Sequence, residues 1–163
     1  MPPPRKKRPT QTATKGNPKV FLVHGQNEGV REHVARFLEK LGCKVLILHE
    51  LPNKGRTIFQ KFNDYSMVEF AVVLLTGDDV GGRTRSKQQK RARQNVLLEL
   101  GFFLGKLGTE KVCSLYEKGV ELPSDYTGAL YIPLNQDEKW KTLLVRELKS
   151  AGIPIDSNQP LSA

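Results

Sequence analysis

Five short, largely apolar runs, separated by amphipathic or polar stretches, govern what this chain can fold into. They are Val20–Val23, Val45–Leu48, Phe70–Leu75, Val112–Tyr116 and Leu130–Leu134. A half-exposed strand alternates apolar and polar residues, whereas a strand covered on both faces does not. Between them lie helical patterns. Asn27 can cap a helix carrying Val30, Val34, Phe37, Leu38 and Leu41, which Gly42 closes. Thr57 opens a short helix through Ile58, Phe59 and Phe62, and another is expected from about Arg91 to Leu107, before Gly108. A last amphipathic helix spans Trp140 to Leu148. Strands of this kind alternating with helices predict an α/β fold with a parallel sheet covered on both faces. The flavodoxin-like order 2-1-3-4-5 is expected, with Pro133, which lacks an amide donor, on an edge strand.

The chain has 163 residues, which fits one domain. Residues 1–18 are rich in Pro, Lys and Arg with little to bury and are expected to be a disordered basic tail. The domain is expected over 19–156 and a C-terminal tail over 157–163. The net charge of +9 is concentrated: residues 1–19 and 83–93 each hold six cations and no acid, so the remainder is net negative. The tail is either a solvated leader or a weak polyanion binder. No apolar run approaches the roughly 20 residues of a membrane helix, and no apolar stretch follows the basic N-terminus as in a secretory signal. With Cys43 and Cys113 both beside apolar residues, buried free thiols in the cytoplasm are expected. His24, His33 and His49 form no zinc motif, so no metal is expected.

In a 2-1-3-4-5 sheet, ligands bind beyond the carboxyl ends of the strands, between strands one and three. The segments there are His24, Gly25, Gln26 and Asn27, and Thr76, Gly77, Asp78 and Asp79. Asp78 and Asp79 could accept ribose hydroxyls or simply stabilise turns. His24 could contact a ligand or hold a strand end. The basic loop from Gly81 to Lys90 either cradles phosphates or is solvated, and lacks the order of a P-loop. Glu99 lies at the edge of the apolar stripe of Val96, Leu97, Leu100, Phe103, Leu104 and Leu107. Its helical neighbours Asn95, Val96, Phe102 and Phe103 include no cation. Such a carboxylate either reaches water at the rim or carries a tuned pKa. Leu98 and Phe102 face away from that stripe, for another part of the chain or another subunit to cover.

Together these segments resemble the bacterial TIR-like family, whose members are effector domains of cyclic-oligonucleotide antiphage systems, including TIR–STING fusions. The matching stretches are Val20-Phe-Leu-Val-His-Gly, Gly55-Arg-Thr-Ile, Val72-Val-Leu-Leu-Thr-Gly-Asp-Asp, Gly105-Lys-Leu-Gly, Pro123-Ser-Asp-Tyr-Thr-Gly and, most specific, Ala92-Arg-Gln-Asn-Val-Leu-Leu-Glu-Leu-Gly. The resemblance implies a TIR fold and, for active members, cleavage of NAD to nicotinamide and a linear or cyclic ADP-ribose. It places the catalytic glutamate at Glu99, with NAD as substrate and no further cofactor. His24–Asn27, Asp78, Asp79, Arg93 and Asn95 are the expected substrate contacts. The family often has Arg-Asp where Gln26 and Asn27 stand, and Phe where Leu98 stands. The loop at Leu51 and Pro52 corresponds to the TIR segment that meets an adjacent subunit. A homo-oligomer joined there and at Leu98 and Phe102 is expected, with a separate or fused cyclic-nucleotide sensor. Two other readings stand beside the NAD glycohydrolase. One is a non-catalytic nucleotide-binding or TIR–TIR interaction module, the other a nucleoside-processing transferase on a similar scaffold.

Overall fold

A computed structural model describes residues 16–52, 54–65, 67–124, 130–156 and 158. Most of both expected tails, and residues 125–128 of the Pro123–Gly128 motif, lie outside the described residues. Five strands form one parallel sheet: β1 (Lys19–Val23), β2 (Lys44–Ile47), β3 (Phe70–Leu75), β6 (Val112–Tyr116) and β8 (Leu130–Pro133). Their order is β2-β1-β3-β6-β8, which is the flavodoxin-like order expected for the five apolar runs. Every residue of the central β3 is buried, which explains its unbroken apolar sequence. Pro133 ends β8 at the sheet edge, where its missing amide costs no ladder bond.

Four helices cover the sheet: α1 (Glu28–Lys40), α2 (Ile58–Tyr65), α3 (Gln94–Leu107) and α4 (Lys139–Ser150). Asn27 caps α1 by accepting from the Val30 amide at 3.1 Å. Thr57 and Gln60 form a reciprocal capping box at α2, with bonds of 3.2 and 2.9 Å. One side of the sheet buries Val34, Phe37 and Leu38 of α1 with Trp140, Leu144 and Leu148 of α4. The other buries Phe62 of α2 with Val96, Leu100 and Phe103 of α3. On that side Phe21 lies 4.7 Å from Phe103, centroid to centroid.

Two expectations change. The segment 81–90 is not a simple loop, and α3 does not begin at Arg91. Strands β4 (Asp79–Gly81) and β5 (Gln89–Arg91) form an antiparallel hairpin. Further along, β7 (Val120–Glu121) joins β5 in parallel, making a second, three-stranded sheet. Backbone pairing thus holds a polar stretch that has no apolar pattern to announce it, and α3 starts only at Gln94. Among the described residues, no helix is long and apolar enough to cross a membrane. Both cysteines are buried and free, and burial pushes their thiols up to about 11 for Cys43 and about 12 for Cys113.

Candidate active site

The carboxyl ends of β1 and β2 open onto a cleft of about 630 Å³, a size that suits a small-molecule ligand. His24, Gly25 and Gln26 line it from the turn after β1, and Arg93, Asn95, Val96, Leu98 and Glu99 from the first turns of α3. Seven of the sequence-derived candidates therefore meet here: His24, Gly25, Gln26, Arg93, Asn95, Leu98 and Glu99. The wall is completed by Glu28 and Arg31 of α1, by Leu48, and by Thr57, Phe59 and Phe62 beside α2. Sequence reasoning did not single out this second group as site residues. Phe59 and Phe62 carry helical spacing, and Thr57 lies in the Gly55-Arg-Thr-Ile stretch, but Arg31 looks like any polar position on α1.

Asn27, Asp78 and Asp79 do not line the cleft. Asp78 holds the turn from beneath: its Oδ2 accepts from the Gln26 amide at 3.0 Å and from Thr76 Oγ1 at 2.5 Å. A side chain at Gly25 would collide with that carboxylate, so the close approach requires glycine. Asn27 caps α1 and donates through Nδ2 to Glu117 Oε1 at 2.8 Å. Glu117 Oε2 accepts from the Gly77 amide at 3.0 Å. Two carboxylates thus lash the turns after β1 and β3 together, whereas Asp79 is exposed at the start of β4. Glu117→Ala leaves both donors unpaired, and a loss of about 1–3 kcal/mol is expected, read as a lowered melting temperature. An unchanged melting temperature would show that the lashing is dispensable.

Glu99 is the unusual group. Among the described residues no hydrogen bond or ion pair reaches its carboxylate, and burial pushes its pKa from 4.5 up to about 7. The α3 stripe that buries Val96 and Leu100 draws Glu99 into the wall, and no cation lies close enough to offset desolvation. Arg93 stands at the N-terminus of α3, where unpaired amides and the helix dipole favour anions. His24 Nδ1 lies 2.7 Å from the Gly25 carbonyl, so that nitrogen carries the proton in this contact. The cleft thus combines a poised carboxylate, a cation at a helix terminus and an apolar rim of Leu98 and Phe59, 60% and 57% exposed. Among the described residues no cluster of three or more His, Cys, Asp or Glu could hold a metal.

Of the expected assembly residues, Leu98 is open to solvent but Phe102 is not a free surface. The Phe102 ring stacks on Phe62 at 5.4 Å and meets Phe59 edge-on at 6.1 Å, so this chain's own α2 covers it. Leu51 is half-buried against the α2–α3 side of the core, and Pro52 is exposed.

A model of the TIR domain of CAP12/Pycsar effector proteins matches residues 19–136. The uncharacterized protein YuaY of Escherichia coli is 46% identical over 147 residues, covering 89% of this chain and 49% of its own. Protein tirC of Dictyostelium discoideum is 33% identical over 133 residues, covering 74% of this chain and 66% of its own. The Pycsar effector protein BcPycTIR of Burkholderia cepacia is 41% identical over 73 residues, 44% of this chain and 24% of its own. The chain therefore spans about half the length of the Escherichia coli relative and about two thirds of the Dictyostelium one. The family match covers the turn after β1 that lines the cleft and the whole of α3, which walls it, and the chain belongs to the family of CAP12/Pycsar effector TIR domains.

Proposed function

We propose that the protein is an NAD glycohydrolase with Glu99 as its catalytic carboxylate. The observation that carries this reading is a half-buried carboxylate, unpaired among the described residues, facing a dinucleotide-sized cleft. The bond that breaks joins C1′ of the ribose to the nicotinamide nitrogen. Its electron pair neutralises the pyridinium, so no proton need be supplied to the leaving group. Positive charge develops at C1′ and the ring oxygen. Glu99, ionised once the cationic substrate is bound, accepts the ribose hydroxyls and stabilises that charge. Water then adds at C1′ and its proton passes to the carboxylate or to solvent, giving ADP-ribose; attack by an adenine nitrogen instead gives a cyclic product. Arg93 and the α3 amides receive the pyrophosphate, Asn95 a ribose hydroxyl, and His24–Gln26 the floor of the nicotinamide half. No cofactor beyond the substrate is needed.

Likeness to relatives named as Pycsar effectors supports a role for this activity in antiphage defence, under a cyclic-nucleotide signal delivered by a sensor fused to or separate from this domain. The test is to incubate concentrated full chain with NAD and follow nicotinamide by chromatography. Release proportional to time supports the reading. No release at any protein concentration, with the chain folded and self-associated by light scattering, would instead favour a TIR–TIR interaction module.

A further inference from the structure

The β4–β5 hairpin takes no part in the cleft. All of residues 82–90 are exposed, and the tip from Gly82 to Gln89 holds Arg83, Thr84, Arg85, Ser86, Lys87 and Gln88. It contains hydrogen-bond donors throughout, with no acid and no apolar side chain. Among the described residues no acid pairs with Arg83, Arg85, Lys87 or Lys90, whereas Arg91 at the base approaches Glu121 at 3.5 Å. This is not a loose basic loop. β5 is paired on both sides, by β4 and β7. The Lys87 amide donates to the Thr84 carbonyl at 3.1 Å and closes the turn. A side chain at Gly82 would collide with the Lys87 carbonyl, so the two arms lie in close contact.

Like charges fixed on one ribbon repel each other, and full exposure offers no packing to offset it. We propose that this hairpin docks on double-stranded DNA through the phosphate backbone. A two-stranded ribbon fits the roughly 12 Å major groove of B-form DNA, and Arg, Lys, Ser, Thr and Gln are the side chains that hold phosphates. The deep, narrow major groove of A-form RNA does not admit it. A second copy of this chain is a poorer match, because four of its surface acids already face their own cations: Glu32 with Arg31, Asp64 with Arg56, Asp137 with Lys139, Glu138 with Lys141. The proposal is independent of NAD cleavage.

The experiment titrates full chain into a fluorescent duplex of about 20 base pairs and reads anisotropy between about 50 and 200 mM salt. The variant Arg83→Ala/Arg85→Ala/Lys87→Ala should weaken binding more than about tenfold and lower the slope of log K against log salt by about 3. A tail variant with Arg5, Lys6, Lys7 and Arg8 changed to Ser should keep that hairpin-dependent difference. Arg83→Lys/Arg85→Lys retains the charge and most of the binding, which separates lost phosphate contacts from a disturbed fold. Parental affinity in the triple variant overturns the proposal, as does equal affinity for an RNA duplex of the same length. If the triple variant instead loses self-association by light scattering while DNA binding is absent in the parent, the surface belongs to a second copy and the proposal fails.

Discussion

Replacing Glu99 by glutamine should abolish nicotinamide release and, in neutral and alkaline buffer, make the fold harder to melt. The amide keeps the shape of the side chain but cannot carry the negative charge that the developing ribose cation needs. A loss on the order of 10³-fold is expected. The stability gain follows from where the proton sits. The carboxyl holds its proton up to about pH 7 in the folded chain, against 4.5 for the unperturbed group. Folding therefore binds a proton between those values. Its stabilising share is complete below pH 4.5 and is lost as pH rises through about 7. Above that, the parent bears the cost of a buried charge which the glutamine variant avoids, about 1–3 kcal/mol. The variant should thus melt a few degrees higher near pH 8 and match the parent near pH 4. Retention of near-parental turnover would remove Glu99 from catalysis. A pH-independent difference in melting temperature would remove the buried-charge argument and leave the catalytic one standing.

Specific activity should climb steeply with protein concentration. A cleft walled by α1, α2 and α3 leaves one side open to solvent, and water exclusion strengthens every electrostatic contact inside. At its rim stands Leu98, 60% exposed and one residue from the carboxylate; Pro52, outside the cleft lining, is exposed on the loop after β2. A neighbouring subunit seated there would close the open side, as the proposed assembly requires. By mass action the rate per subunit should then rise more than about tenfold from dilute to crowded protein. Leu98→Ala and Pro52→Asp should flatten the rise while leaving the melting temperature unchanged. Phe102 is unsuited to the same use, because its ring is part of the Phe59–Phe62 stack and its loss would loosen α2. A constant rate per subunit over about a thousandfold dilution, with monomers seen throughout by light scattering, would exclude this dependence.

The sheet was legible because burial on both faces writes itself as continuous apolar sequence, and β3 is the extreme case. The hairpin was illegible for the converse reason. Its strands of three residues are held mainly by backbone bonds, and their side chains, Gln89 and Lys90 among them, are those of a solvated loop. Glu99 could be picked out locally, since its lack of a cationic neighbour is a property of one helix. Asp78 could not be assigned locally. Turn or ribose were both open, and the decision came from the Gln26 amide, fifty-two positions away. Arg31 and Thr57 enter the cleft only because α1 and α2 converge there, which no spacing within either helix encodes.

The two sides of the sheet differ in what a damaging mutation would do inside a cell. The layer of α1 and α4 holds Trp140, Leu144 and Leu148 but contributes only the first turn of α1 to the cleft. Truncating those residues lowers the number of folded molecules while each survivor turns over normally, so the phenotype is one of dosage. Residues of the α2–α3 layer such as Phe62 and Val96 both pack the core and wall the cleft. Changes there alter dosage and the individual molecule together. Under the proposed NAD-cleaving function the first layer is therefore the place where selection can trim potency without redrawing the chemistry.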